Sequence, residues 1–120
     1  MRKLYELLLP IKLVSESNNS DHWTKKRKRN KLIETEIWLK FKQERPNIPL
    51  PAHIKLTRIS PRQLDDDNMV GSCKHVRDMI ADQILPGLAA GRADGDKRMT
   101  WEYAQEKGKT CARIEIYIPD

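Results

Sequence analysis

The spacing of apolar residues along the chain predicts four strands and two long helices. Residues 2–9 and 54–59 are short apolar stretches bounded by Pro and Ser, which is typical of strands. In two later stretches, 99–104 and 110–118, apolar and polar residues alternate. In the second stretch the apolar positions include Ile114, Ile116 and Ile118. We expect these last two strands to form a closing hairpin.

Helical periodicity replaces the alternation in two segments. In residues 26–43, Ile33, Ile37 and Phe41 recur every four residues, and the segment closes before Pro46 because a residue preceding proline avoids helical geometry. Ser20 or Thr24 is expected to cap it.

Residues 68–85 form the second predicted helix. Its apolar stripe comprises Met69, Cys73, Val76, Ile80 and Ile84. We also expect Trp38 and Trp101 in the core.

The element order strand, helix, strand, helix, strand, strand indicates an α+β or α/β layer fold around a mixed sheet. We expect residues 1–120 to form one domain, because the chain is too short for two stable cores. The 120 residues include no apolar run of membrane-spanning length, and two cysteines make no disulfide framework. A cytoplasmic location is therefore expected.

Charge points to nucleic acid as the first partner to consider. The chain has 23 Lys and Arg against 17 Asp and Glu, a net charge of +6. Every residue from 25 to 31 except Asn30 is basic. We call these six residues the basic run (Lys25, Lys26, Arg27, Lys28, Arg29 and Lys31). Trp23 lies just before them. Such residues bind phosphates, and Trp23 is suited to stacking on an exposed base. A solvated helix start and a nuclear localisation signal are the alternatives.

Asp65, Asp66, Asp67 and Asn68 stand between an extended segment and a helix. In extended geometry Asp65 and Asp67 would face one side and could bind Mg²⁺, with water filling the other positions. Asp94 or Asp96, beyond the same helix, would add another oxygen. The alternative is that these acids cap the helix and complement its dipole.

Lys74 follows Asp67 by about two helical turns and could share a face with the helix start. Its functional role would be to neutralise charge that develops on a phosphate. An ion pair with Asp78, one turn further along the helix, is the alternative.

Taken in order, these motifs resemble the RusA-type Holliday junction resolvases, small nucleases common in phages and prophages. Leu9-Pro10 and Ser17-Asn18-Asn19 are similar to the family's first strand, proline and Ser-Asn element. The basic run, the Asp-x-Asp-Asn motif, Lys74-x-x-x-Asp78 and Asp94 follow in the family's order. Gly71 stands where the best-known member has its lysine, so the match to Lys74 implies a short insertion.

The resemblance implies an α+β fold, with a mixed sheet of about four strands and two main helices. It implies a homodimer that resolves four-way junctions in recombination and repair, by paired symmetric nicks. Asp65, Asp67 and Asp94 would hold Mg²⁺, or Mn²⁺ as a substitute, with Asp96 as the alternate ligand and Lys74 as the catalytic lysine. The location would be the cytoplasm of a bacterium or phage-infected cell. The alternatives are a non-catalytic basic nucleic-acid-binding protein and a nuclease for other branched DNA.

Overall fold

One helix follows the first strand, two helices follow the second, and the last two strands follow one another. A computed structural model describes residues 1–14, 23–87 and 93–120, with the side chain of Asp94 excepted. The elements are β1 (Arg2–Leu9), α1 (Trp23–Glu44), β2 (Ala52–Ile59), α2 (Asp66–Ser72), α3 (Lys74–Ile84), a 3₁₀ turn (Ala93–Gly95), β3 (Met99–Glu106) and β4 (Cys111–Ile118). The predicted α+β fold with one mixed four-stranded sheet is confirmed.

The order of strands in the sheet is β1-β4-β2-β3. Strand β4 is antiparallel to both of its neighbours, whereas β2 and β3 run parallel, from Ala52 opposite Met99 to Ile59 opposite Glu106. The predicted closing hairpin is therefore wrong. Alternating residues identify a strand and its buried face, but they carry no information about which strand lies beside it.

The loop from β3 to β4 crosses the end of β2, which lies between these strands. Ser60 N–H donates to Glu106 O at 3.1 Å, and Gly108 N–H donates to Ser60 O at 3.3 Å. A Cβ atom on Gly108 would lie 3.0 Å from Ile59 Cγ2. A side chain at this position would therefore press on Ile59 of β2, so glycine is favoured here by the closeness of that strand rather than by an unusual backbone conformation.

The core lies between the helices and one face of the sheet. Ile37 of α1 and Ile80 of α3 are buried with Ile54, Ile114 and Ile116 from the two central strands. Burying a side chain of this size contributes about 1.5–3 kcal/mol. The inward positions of the strands and the four-residue periodicity of α1 therefore specify the same core.

Ion pairs occupy the opposite face of the sheet. Glu115 is only 7% exposed there and pairs with Lys3 Nζ at 3.2 Å and Arg113 Nε at 3.3 Å. Burial raises the pKa of Glu115, but hydrogen bonds from Tyr117, Lys3 and Arg113 outweigh burial and hold the pKa below its usual value. This face is therefore polar but largely charge-compensated.

The helices differ in detail from their predicted bounds. Helix α1 begins at Trp23, so Thr24 lies inside it, while Ser20 lies outside the described residues. The end before Pro46 is confirmed, with Arg45 in the left-handed region at φ 46°. Trp38 is 48% exposed, so its predicted place in the core is wrong, whereas Trp101 packs against the core as expected.

The predicted single helix over residues 68–85 is two helices, which meet at the buried residue Cys73. Ser72 Oγ donates to Met69 O at 2.7 Å and so competes for a backbone acceptor. Gly71, with low helix propensity, precedes it. Apolar periodicity continues through the break because both helices bury the same side, which is why the pattern alone does not reveal it. Among the described residues, no helix is long and apolar enough to cross a membrane.

Two glycine substitutions test the crossing of β3 to β4. We expect Gly108→Val to lower the free energy of unfolding by about 1–3 kcal/mol, because the added atoms overlap Ile59. Gly71→Ala is the control: its Cβ meets nothing within 4 Å, and alanine favours the helix, so stability should rise by about 0.5–1 kcal/mol. Urea denaturation measures both. An unchanged stability of Gly108→Val would mean that the loop does not press on β2.

Candidate metal site and nucleic-acid surface

The acidic motif lies where the chain leaves β2 for α2, and a glutamine from β3 fixes its approach. Leu64 N–H donates to Gln105 Oε1 at 2.8 Å, and Gln105 Nε2 donates to Leu64 O at 2.7 Å. One side-chain amide therefore binds both backbone groups of the residue before Asp65, as a neighbouring strand would. No sequence pattern singled out Gln105.

Arg58 holds the same loop from the other side. Its guanidinium donates to Arg62 O at 2.7 Å and to Leu13 O at 3.0 Å, and the residue is only 5% exposed. Because the acceptors are carbonyls rather than carboxylates, a positive charge is retained close to the acidic motif. Arg58 is also near buried Cys73, whose pKa burial raises to about 11 against the opposing effects of Ser72 and Arg58.

Asp65 is the N-cap of α2. Its Oδ1 accepts from Asn68 N–H at 2.9 Å and its Oδ2 accepts from Asn68 Nδ2 at 3.0 Å. The expected extended geometry ends at this residue, since Asp66 and Asp67 already lie in the first turn of the helix. The alternation that was expected to align Asp65 with Asp67 therefore does not continue through Asp67. Capping by Asp65 has the required geometry, but a cap needs only one carboxylate.

Asp66 and Asp67 are exposed, and neither forms a hydrogen bond or ion pair with another described residue. Within the described part of the chain, no three His, Cys, Asp or Glu side chains are grouped to hold a metal ion. Mg²⁺, however, is commonly held by one or two carboxylates, with water and substrate phosphate completing its shell. The exposed oxygens of Asp65, Asp66 and Asp67 fit that kind of site.

Lys74 is the first residue of α3, directly after the break at Cys73. Its exposed side chain forms no ion pair with Asp78, although both residues are described. The structural alternative for Lys74, an ion pair with Asp78, is therefore absent from the described part of the chain. The break also means that Lys74 and Asp67 do not share one continuous helix, as the sequence had suggested.

The later acidic residues lie near the start of β3. The backbone of Asp94 is in the 3₁₀ turn, but its side chain lies outside the described residues, so its role stays a prediction. Asp96 accepts from Arg98 N–H at 2.9 Å and from the Arg98 guanidinium at 2.9 and 3.0 Å. These hydrogen bonds lower the pKa of Asp96 to about 2.

The two acidic segments lie towards opposite ends of β3. Arg98 O accepts from Ala52 N–H beside the start of β3, whereas the loop before Asp65 is bound by Gln105 near the strand's end. Met99 and Gln105 are about 20 Å apart along an extended strand. The structure therefore does not bring Asp96 to Asp65 and Asp67 within one chain.

The basic run forms the first turns of α1. All of its residues are exposed except Arg29, which is half-buried, and the first turn contains no acidic residue. Trp23 is 63% exposed, and the Arg27 guanidinium carbon lies 5.9 Å from its ring centre. As expected, cations are concentrated at the positive end of a helix dipole, where an anionic partner would stabilise them.

The chain was compared with family models, curated proteins and solved structures, and none of them matches it. The resemblance to the RusA-type nucleases therefore stays an expectation based on the order of its motifs.

Gln105→Leu tests whether the amide fixes the acidic loop. We expect a loss of about 1–3 kcal/mol in the free energy of unfolding, because Leu64 N–H and C=O lose their partners in a partly buried setting. Gln43→Leu, at an exposed position of α1, should change stability by less than about 0.5 kcal/mol. Equal stability of the two variants in urea denaturation would show that the loop is held without Gln105.

Proposed function

We propose that this chain is a Mg²⁺-dependent endonuclease that resolves four-way DNA junctions. The observation that carries the proposal is the set of exposed carboxylates at the start of α2, in a chain with a net charge of +6. One carboxylate suffices for the cap, and Asp66 and Asp67 have no described partner. A divalent cation would relieve the repulsion between them.

Asp65 and Asp67 would hold the metal. The resemblance implies Asp94 as the third ligand and Asp96 as its alternate, although the structure binds Asp96 to Arg98 towards the other end of β3. Mg²⁺, or Mn²⁺ in its place, would polarise the phosphate and lower the pKa of the attacking water. Asp65 accepts two hydrogen bonds in the structure, and a carboxylate has further lone pairs with which to bind a cation. Capping and metal binding are therefore compatible at this residue.

Cations around the acidic motif would bind the phosphodiester that is cut. Lys74 is exposed and its ammonium has no described ion-pair partner, so it is suited to stabilise charge on the scissile phosphate. Arg58 acts indirectly: its two backbone hydrogen bonds place the loop that leads to Asp65. Gln105 has the same positioning role from β3.

The basic run would bind the DNA backbone without reading its sequence. Paired nicks at symmetric positions require two active sites, so a homodimer with two-fold symmetry is the assembly proposed. Such an enzyme would act in recombination and repair in the cytoplasm of a bacterium or phage-infected cell. A nuclease specific for another branched DNA is a variant of the same proposal.

A second candidate function is a basic nucleic-acid-binding protein without catalysis. Asp65 favours it, because both of its carboxylate oxygens bind Asn68 as a helix cap would. On this alternative, Lys74, Asp66 and Asp67 are solvated surface charges. DNA binding does not separate the two candidates, but a requirement for a divalent metal does.

Cleavage of a synthetic four-way junction tests the proposed activity. We expect paired nicks with Mg²⁺ and none with chelator, and a plain duplex of the same sequence should stay intact. Asp67→Asn should keep junction binding and lose cutting by at least about a hundredfold, because it removes a proposed ligand charge while preserving shape. Asp82→Asn, the same charge change in α3, is the control and should cut normally.

Asp65→Asn separates capping from catalysis, because asparagine caps helices about as well as aspartate. We expect normal stability and lost cutting. Asp94→Asn should also lose cutting if Asp94 is the third ligand, whereas loss with Asp96→Asn alone would assign that role to Asp96. If wild-type protein binds junctions but cuts none of them with any divalent metal, the hypothesis that the chain is an enzyme is wrong.

Salt dependence tests the basic run. The triple change of Lys25, Arg27 and Arg29 to Ala should reduce the slope of log K against log salt by about 0.9 per lost phosphate contact. The control changes Lys40, Lys42 and Arg45 at the other end of α1, which removes the same charge. Fluorescence anisotropy on a labelled duplex gives both slopes. Equal slopes for the two triple variants would exclude the basic run as the specific contact surface.

A further inference from the structure

A groove of about 400 Å³ opens between the first half of α1 and the start of α3. The α1 residues that line it recur every three or four positions and so share one helix face. His75 of α3 forms the facing wall. The lining on the α1 side includes Trp23, Lys26, Arg27, Asn30, Lys31 and Glu34.

The groove favours an anionic ligand. Lys26, Arg27 and Lys31 contribute three positive charges, against one carboxylate, that of Glu34, among the described lining residues. Glu34 Oε1 lies 3.2 Å from His75 Nε2, an ion-pair distance, although the geometry is too poor for a hydrogen bond. By count, the described lining residues therefore carry more positive than negative charge, and phosphate groups would complement this excess.

Trp23 adds an exposed aromatic ring, which the binding of a simple anion would not require. Its indole is 63% exposed, and Arg27 approaches its ring only to 5.9 Å, at the outer limit of a cation–π contact. Trp38, on the same helix, instead has Lys42 Nζ 4.6 Å from its ring centre and lies outside the groove. An exposed indole among cations is the combination by which proteins hold unpaired nucleotides, through stacking and phosphate contacts.

Asn30 contributes a polar group to the same wall. Its Oδ1 is buried and has no hydrogen-bond partner among the residues that the structure describes. A buried acceptor without a partner is costly, and rotation of the amide towards a base would satisfy it through the base's amino group. Phosphates alone would not do so, because they carry no donor at neutral pH.

We propose that the groove between α1 and α3 binds one unpaired nucleotide of DNA. Its base stacks on Trp23 and its phosphates contact Lys26, Arg27 and Lys31. The proposal rests on the DNA-binding part of the proposed function and is independent of cutting. It provides a physical basis for preferring DNA that contains an unpaired base, because bases inside a continuous duplex are stacked on each other and cannot stack on an indole.

A duplex with a single unpaired 2-aminopurine tests the groove, beside the fully paired duplex of the same sequence. Full-length wild-type protein should bind the bulged duplex at least about fivefold more tightly, and stacking should quench the 2-aminopurine fluorescence. Trp23→Ala should lose that preference and the quenching, and Trp23→Phe should keep most of both. Trp38→Ala is the matched control and should behave as wild type.

Several outcomes would overturn the proposal. Equal affinity of wild-type protein for the two duplexes would do so, as would quenching that survives Trp23→Ala or disappears in Trp38→Ala. A polyglutamate peptide that displaces the bulged duplex from wild-type protein as well as an unlabelled bulged duplex does would instead identify an acidic protein as the ligand. Thermal unfolding of each variant verifies the fold.

The junction assay keeps the two proposals distinguishable. Bulge preference without metal-dependent cutting would leave the groove proposal intact and reject the nuclease. Metal-dependent cutting by a wild-type protein that shows no bulge preference would reject the groove proposal and leave the nuclease proposal intact.

Discussion

The insertion of β2 between β3 and β4 is the constraint on which the rest of the structure depends. Because β3 and β4 are consecutive in the chain but not adjacent in the sheet, their connection must cross the end of β2. That crossing binds Ser60 to Glu106 and Gly108, and it sets the start of the loop that leads to Asp65. The sheet order therefore determines where the acidic motif can lie.

The same arrangement explains how an irregular loop can hold its shape beside a charged surface. Residues 61–65 pair with no strand in the described part of the chain, so their backbone groups need other partners. Arg58 and Gln105 supply them from two parallel strands, by binding Arg62 and Leu64. Both strands belong to the same sheet, so the start of α2 is held by side chains from two neighbouring strands.

Features that depend on local periodicity were predictable from the sequence. Features that depend on pairing between distant segments of the chain were not. The bounds of β1 and the core stripe of α1 follow from spacing alone. The parallel pairing of β3 does not, because a strand with one buried face can pair in either direction. The Gln105 amide, bound to Leu64 far along the chain, had no detectable local signal, and the break at Cys73 lies within a continuous apolar stripe.

The net charge of +6 is a sum that hides a segregation of acidic and basic residues into separate regions. Carboxylates at the start of α2 complement its dipole, but three adjacent ones exceed what a cap uses and repel each other. The cations at the start of α1 oppose the dipole and also repel each other. Each cluster is therefore most stable with a ligand of opposite charge. A divalent cation and a nucleic acid phosphate meet the two requirements, and a metal-dependent nuclease would bind both of them at once.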